Sequence, residues 1–440
     1  MAVTQKNLSG SGVLFTDRRD FYISPQVVKE LWTDVAPFTT VVANREQRTP
    51  TDPVFKMFEH RNPWQKQEFS AASNPAPLSA GNTAGAAITI DGISGLSSDV
   101  DNSWLGLVCQ VWNEAKTTQR GLAIVSTIES TTSLKVKNLN HDTNALDIAD
   151  NDVFVVVGNA HGEGTTAPEA WSDELGVVHN STQIFKTSLQ ITGTLEAAAL
   201  RGESSELARL RLLKSQEHKI QKERAFLFGG SRLGTGLNVA GGATGDIAFG
   251  DGNTTDTAGN TVRSTTGILE AIRRYGATSG DDQNNFTISE ATYSYNNFVD
   301  DMEKVFQYVP ESGSKIAFAG RGAMSYWSKI EGAKGLAGNS GWNIQMGPTE
   351  RNSLGFNYRQ LETPHGVLML VPTPVLRGAD NKTMLVVSEE NLFHAVYRPP
   401  VYQTNIKTDD AFDGVKDQYM SDEGVGITLL ESHKRFSITD

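Results

Sequence analysis

The chain has almost no sulfur chemistry to offer. Its 440 residues include one cysteine, Cys109. No intramolecular disulfide framework can form, and zinc ribbons and cysteine-ligated iron–sulfur clusters are excluded with it. Cys109 lies in Leu105-Gly-Leu-Val-Cys-Gln-Val111, a buried-strand context in which a lone thiol behaves as a small core hydrophobe. No apolar run approaches 18 residues, so no membrane-spanning helix and no membrane partner are expected. Met1-Ala-Val-Thr-Gln-Lys6 lacks the apolar stretch of a secretory signal, and the chain is expected to be made and kept in a cytoplasm. Proline is sparse, 15 against 41 glycines, which makes the loops flexible more than stiff.

Basic charge is also short. The 39 basic and 51 acidic side chains leave a net charge of −12. Domains that read nucleic-acid sequence are usually basic, so that is not expected as the main task. A net negative charge keeps a concentrated protein soluble by self-repulsion. It leaves room for loose contact with packed DNA through a locally basic face.

The signatures of catalysis are missing in turn. The eight histidines are His60, His141, His161, His179, His218, His365, His394 and His433, and no two are closer than 18 residues. The paired-histidine spacings of zinc sites are therefore absent, and no metal is expected. His218 reads as a solvated helix residue. The glycines at 229, 230, 234 and 236 follow a helix, whereas a dinucleotide fingerprint follows a strand and opens one. No phosphate-loop lysine motif and no Gly-x-Ser-x-Gly elbow occur. The acid pairs Asp281-Asp282, Asp300-Asp301, Glu389-Glu390 and Asp409-Asp410 lack the spaced ligands of a calcium loop and read as surface charge. No catalytic residue, cofactor site or metal site is expected.

What is present is an order of parts in an α+β chain. The stretch to about residue 43 holds too few apolar side chains for a core, and reads as an arm that packs on something else. Val27-Val-Lys-Glu-Leu-Trp32 fits a short helix stopped by Asp34-Val-Ala-Pro37. Residues 45–74 alternate around five prolines at 50, 53, 63, 75 and 77 and fit short strands or an extended hairpin. Residues 85–160 hold five β-branched-rich runs separated by turn residues, the pattern of a small antiparallel barrel or sandwich. A strand pair is expected over 181–194. Residues 203–228 contain no Gly or Pro and end at Gly229-Gly230. This spacing predicts a helix of about 39 Å. Leu207, Leu210, Leu213, Ile220 and Leu227 form one thin apolar stripe, the mark of a strut lying across a surface. Its six basic side chains against Glu203, Glu206, Glu217 and Glu223 fit ion pairs between neighbouring turns or subunits. After a Gly/Thr/Asn-rich loop, helices are expected over 266–275, 289–309 and 321–330. Strands are expected over 315–319, 357–361, 366–371, 383–387 and 394–397, with a closing β stretch over 419–438.

Several motifs carry a family likeness: Asp34-Val-Ala-Pro-Phe-Thr-Thr-Val-Val42, Asp150-Asn-Asp-Val-Phe154 with Gly158-Asn-Ala-His-Gly-Glu-Gly164 and Ala167-Pro-Glu-Ala170, and Asn180-Ser-Thr-Gln-Ile-Phe-Lys-Thr-Ser-Leu-Gln-Ile-Thr-Gly193. Arg263-Ser-Thr-Thr-Gly-Ile-Leu269, Asp417-Gln-Tyr-Met-Ser421 and Glu431-Ser-His-Lys434 continue it. In this order they resemble the major capsid proteins of tailed double-stranded DNA phages, with the Hong Kong ninety-seven type fold, in the branch bearing an elaborated β-rich loop domain. The resemblance implies an N-terminal arm over 1–43 and an extended loop over 44–186 with its β insertion at about 85–160. It implies a peripheral domain over 187–244 with a spine helix at 203–228, an axial domain over 245–400, and return strands of the peripheral domain over 401–440. It implies a subunit that partners itself in pentamers and hexamers of an icosahedral head around double-stranded DNA, touched non-specifically. Scaffolding, portal and decoration proteins would be further partners, the virion the location, and the host cytoplasm the place of assembly. The candidate subunit-interface residues are Phe15, Trp32, Phe58, Trp64, Leu210 and Leu213. The rival readings are a hydrolase with a β accessory domain and a β-rich fibre or adhesin.

Overall fold

The computed structural model describes residues 36–60, 68–73, 87–94, 100, 102–139, 146, 148–166, 175–197, 205–230, 246–248, 254–255, 261–279, 282–308, 313–335, 350–351, 357–406 and 413–439. In chain order these form α1 (Pro37–Asn44), β1 (Gln47–Arg48), β2 (Val54–Glu59), β3 (Glu68–Ser73), β4 (Ala87–Ser94), β5 (Leu107–Trp112), β6 (Gln119–Ser130), β7 (Ser133–Asn138), β8 (Val153–Asn159), β9 (Gly176–Ser181), β10 (Gln183–Thr192), α2 (Gly193–Ala197) and α3 (Glu206–Phe228). Then follow β11 (Asp246–Ala248), β12 (Thr254–Thr255), β13 (Thr261–Val262), α4 (Ile268–Tyr275), β14 (Asn285–Ser289), α5 (Tyr295–Phe306), β15 (Ser314–Ala319) and α6 (Arg321–Gly335). The last part is β16 (Glu350–Arg351), β17 (Asn357–Thr363), β18 (Gly366–Pro372), β19 (Thr383–Val387), β20 (Leu392–Gln403), β21 (Gly414–Ile427) and β22 (Lys434–Thr439). The chain divides into two compact units, one of Met1–Phe55, Asn180–Arg232 and Asp251–Asp440, the other of Lys56–His179 and Leu233–Gly250.

The second unit is built on a closed barrel of strand order β3-β4-β7-β6-β5-β8. Alternation sets its inside: on β5 Leu107, Cys109 and Val111 point in, and on β7 Leu134 and Val136 do. Phe69 of β3 stacks on Phe154 of β8 with ring centroids 4.9 Å apart, and Trp104 tilts against the same Phe69 at 5.2 Å. Cys109 is fully buried, and burial pushes its thiol up to about 12. The expected block at 85–160 is thus one strand short. Glu68–Ser73, read as part of a hairpin, pairs with both β4 and β8 and closes the barrel. Long-range pairing of this kind leaves no local mark, which is why the boundary was set too late.

The first unit holds two sheets. A seven-stranded sheet of order β14-β22-β19-β15-β18-β17-β16 has β15 and β19 at its middle. Those two strands are almost wholly buried and read as continuous apolar runs, as strands covered on both faces do. On one face Phe298, Met302 and Val305 of α5 join Ala323 and Trp327 of α6 over Ala317, Met384 and Phe436. On the other, Phe318 meets Phe38 of α1 edge-on at 5.3 Å. A four-stranded sheet, β1-β20-β21-β10, carries α3. Residues 181–194 are therefore not a strand pair. Gln183–Thr192 is one strand in ten-residue register with β21. The closing β stretch also divides: β21 lies in the four-stranded sheet, while β22 crosses into the other between β14 and β19.

Two further corrections concern helix starts. Pro37, read as a stop, is the first residue of α1, where a missing N–H costs nothing. The helix expected from 289 begins at Tyr295, because Asn285–Ser289 pairs with β22 as a strand and Ser294 caps the helix. The short helix expected over Val27–Trp32 and the acid pair Asp409-Asp410 lie outside the described residues.

The seven-stranded sheet buries two lysines. Lys315 Nζ donates to the Ser432 carbonyl at 3.0 Å and Lys434 Nζ to the Gln283 carbonyl at 2.7 Å. Burial pushes them down to about 7 and about 8, and for Lys315 the charge of Lys434 adds to the effect. A lysine depressed in the folded state binds its proton less tightly there than when unfolded. The resulting destabilisation is present in full below the folded pKa and fades as pH rises towards the unfolded value. Lys434→Met should raise subunit stability by about 1–2 kcal/mol at pH 7, the relief of desolvation outweighing an orphaned Gln283 carbonyl. Thermal melts at pH 7 and pH 10 should show the gain shrinking at the higher pH.

Barrel closure gives a second test. A fragment of residues 68–160 should fold with a β spectrum and a cooperative melt. A fragment of residues 85–160 should not, because it leaves β4 and β8 each without one of their two neighbours and opens the core at Phe69, a side chain worth about 1.5–3 kcal/mol on burial. Circular dichroism of the two fragments checks it.

Candidate functional site

The feature that organises the first unit is the contact between α3 and its sheet. Ser205 caps α3 by accepting from Ala208 N at 3.3 Å, and Gly229 ends it. Gly229 also lets α4 approach. Gly267 N donates to Gly229 O at 2.7 Å, and a Cβ on either glycine would sit within 2.7 Å of a backbone atom of the other segment. The helix expected from 203 is thus described from 206, with 201–204 outside the described residues.

The thin leucine stripe does not form the seam. Leu207, Leu210, Leu213 and Ile220 are half-buried, and the buried residues of α3 are His218, Glu223, Phe226 and Leu227. The facing strand explains this. β21 turns Asp417, Ser421 and Glu423 towards the helix, and α3 answers with Arg211, His218 and Lys222. Arg211 donates through Nε and Nη2 to Asp417 Oδ2 at 2.9 and 2.8 Å. His218 Nε2 and Ser421 Oγ are 3.2 Å apart, with Nδ1 3.1 Å from Thr187 Oγ1 of β10. Lys222 Nζ reaches Glu423 Oε2 at 3.2 Å. Eleven residues of helix rise about 16 Å and six of strand about 20 Å, so three rungs stay in step.

Each buried acid has its own environment. Burial would raise Asp417, but the Tyr402 hydroxyl, the Asn405 N–H at 2.7 Å and Arg211 outweigh it and hold the carboxyl below its ordinary value. Burial likewise acts against Glu423, and His394 Nε2 at 3.1 Å with Lys222 brings it below the usual range. Asp422 pairs with Arg398 and Arg263 at 3.3 and 3.6 Å. Burial, with Lys222 nearby, lowers His218. His218 is buried, and the solvated-face reading is wrong.

Glu223 is different. It is fully buried and accepts Phe38 N at 3.1 Å, Thr39 N at 2.6 Å and Thr39 Oγ1 at 2.7 Å. It closes the first turn of α1 as a capping anion does. Burial pushes it up to about 6, against the pull of those donors.

Other acids also have partners. Glu389 pairs with Arg45, Tyr308 donates to Asp282, and Tyr293 donates to Asp301 at 2.6 Å. Among the described residues no three His, Cys, Asp or Glu side chains converge as a metal site would need, and no helix is long and apolar enough to cross a membrane. Of the interface candidates, Phe58 is 73% exposed on β2, Leu210 and Leu213 sit half-buried on α3, and Phe15, Trp32 and Trp64 lie outside the described residues. Phe58 belongs to one unit and the two leucines to the other. The seam residues Asp417, Ser421, Glu423 and His218 were missed. Their one sequence signal is the spacing of polar side chains along a strand rich in buried positions.

A helix locked by ion pairs to a sheet, with a β-barrel in a separate unit, is a structural arrangement. A family model described as the SU10 major capsid protein matches residues 37–418, from α1 into β21. The chain belongs to that family. It is 28% identical over 164 residues to the major capsid protein of Pseudomonas phage PaMx41, covering 37% of this chain and 33% of that one. The match thus spans about a third of the relative's length. Among solved structures it is similar to the capsid of the native GTA particle, with TM-score 0.46 and 8% identity over 98% of this chain and 99% of that one. It is also similar to a chain of Microbacterium phage Oxtober96, with TM-score 0.42 and 11% identity over 94% of both.

Within a member of the SU10 major capsid protein family, the polar seam is testable. Glu423→Ala leaves Lys222 and His394 facing each other in a buried site, and should cost about 3 kcal/mol at pH 7. A carboxyl held below its ordinary value stabilises the fold above the unfolded pKa of about 4.3 and loses that contribution as pH falls through the folded value. The gap between variant and wild type should therefore narrow below pH 4. Urea melts at pH 7 and pH 3.5 check both statements.

Proposed function

We propose that this chain is the structural shell subunit of a tailed-phage head, assembled in the host cytoplasm and resident in the virion. The family match over residues 37–418 carries the reading. Copies close as pentamers and hexamers into an icosahedral shell around double-stranded DNA, and contact with the DNA is non-specific, in keeping with a net charge of −12. Scaffolding, portal and decoration proteins are its further partners.

The parts take the following roles. The unit with α3 and the four-stranded sheet is the peripheral domain and spine, to which residues 392–400 belong, since β20 pairs with β21. The seven-stranded sheet with α5 and α6 is the axial body, and it includes β22. Residues 44–186 form the extended loop, with the barrel as its insertion, and 1–43 the arm. The exposure of Phe58 supports a contact made by that loop in the shell. Leu210 and Leu213 support a second contact on the spine, with Phe15, Trp32 and Trp64 completing the set.

The purified chain at high concentration, with its cognate scaffold if one is required, should give pentamers, hexamers or closed shells by light scattering and electron microscopy. A stable monomer under every condition would overturn the proposal.

A further inference from the structure

The barrel has two different sides. On β7 and β4 the outward positions are polar, as in Ser133-Leu-Lys-Val-Lys137 and Ala87-Ile-Thr-Ile-Asp91. On β5, β6 and β8 the apolar residues run on without alternation: Leu107-Val-Cys, Leu122-Ala-Ile-Val and Val153-Phe-Val-Val-Val157. Strands that read this way are apolar on both faces and are normally covered on both. Here the inner face is filled by Cys109, Ala123, Val125, Phe154 and Val156. On the outer face, among the described residues, Val108, Ile124 and Val155 are half-buried and Leu122, Leu139 and Val157 are exposed.

The register brings these outer residues together. Val108 lies opposite Ile124, and Gln110 opposite Leu122 and Val155. Val157 sits beside Val108 at the bulge between Val156 and Gly158. Leu139 N donates to Leu122 O at 2.9 Å, which sets Leu139 beside Leu122. Val108, Leu122, Ile124, Val155 and Val157 on β5, β6 and β8, with Leu139 just past the end of β7, thus form one largely apolar wall around Gln110. Leu122, Leu139 and Val157 are 36%, 45% and 62% exposed.

We propose that this wall is an assembly surface, covered by a second copy of the chain in the shell and bare in the free subunit. The inference rests on the shell reading above and names a contact within it. Two observations select the occupant. The wall is about 14 Å across, from β8 to Leu139, and about as long along β8, roughly 200–300 Å². A free-standing pair of proteins needs about 800 Å² on each side. The wall is too small to hold a partner by itself, and is useful where other contacts already bring that partner close, as repeated neighbours in a shell do. Charge excludes the genome. Residues 56–179 hold 15 acidic and 7 basic side chains, and an apolar wall in an acidic unit offers phosphate nothing.

The single buried cysteine makes the test clean, because a thiol pushed up to about 12 does not react at pH 7.5. Val157→Cys and Leu122→Cys should react readily with a maleimide dye in free subunits, and at least tenfold more slowly in shells. Ser94→Cys, at an exposed position on β4, should react equally in both. Two exposed positions are used so that one poorly folded variant does not decide the matter. Equal labelling of Val157→Cys in both states would overturn the proposal, as would equal protection of Ser94→Cys. Protection that appears only after a separate structural protein is added would assign the wall to that protein and also overturn it. Failure of wild-type chains to form shells would count against the shell reading, and is scored separately.

Discussion

The first unit depends on matching three buried carboxylates of one strand to basic side chains on the elements around it. Asp417, Asp422 and Glu423 are each at most 1% exposed. An unpaired carboxylate at such depth would take up a proton or open the structure. Arg211, Arg263, Arg398, Lys222 and His394 arrive from α3, β20 and the segment leading into α4, so β21 cannot be buried until all of these are in place. The seam therefore makes α3, β20 and the approach to α4 conditional on one another. An apolar seam would tolerate a slip of one helical turn at small cost. A slip here would move Arg211 and Lys222 by about 5.4 Å and leave Asp417 and Glu423 without partners. The gain of such a seam is in register more than in net stability, since buried ion pairs often do little better than break even against apolar packing.

The same constraint reaches α1 by another route. Glu223 stands on the α3 flank next to Lys222, yet among the described residues it takes no basic partner. Lys222 and His394 go to Glu423, Arg45 goes to Glu389, and Glu270 of α4 holds Arg273 and Arg274. What remains for Glu223 is the open first turn of α1, whose N–H groups have no partner within their own helix. One residue thus caps a helix 184 positions away from it in sequence, and Phe38 then reaches Phe318 in the seven-stranded sheet. The two sheets of this unit are tied through α1 by one carboxylate and one aromatic contact.

These ties explain what could be read in advance. Helix α3 was legible because it lacks Gly and Pro, has Ser205 ahead of it and Gly229 behind it, all local facts. β15, β18 and β19 were legible because strands buried on both faces are continuous apolar runs. Helix α5 showed its period through Phe298, Met302 and Val305. The failures share a cause. Whether β3 belongs to a hairpin or to the barrel depends on strands up to 87 residues away. His218 and Glu223 lie on a helix with many polar residues that face water, and nothing in the helix itself separates the two kinds. Only the partner surfaces do, the polar face of β21 for His218 and the first turn of α1 for Glu223, and those are known only once the fold is known. The leucine stripe misled for the same reason: periodicity reports which residues could be buried together, and the partner surface decides which are.

Alternation carries more information than strand position. Within one barrel, β7 alternates strictly while β5, β6 and β8 do not, although all four contribute to the same inner core. The inner core therefore cannot account for the difference. A chain under selection only to close a barrel would be free to place Lys or Thr at 108, 124, 155 and 157, as it does at 89, 135 and 137. An exposed valine or leucine on a sheet wall adds no stability to the subunit and raises the hazard of edge or face association. The apolar half-wall is thus a cost to the isolated subunit, and the proposed assembly contact is what would offset that cost by removing the same side chains from water.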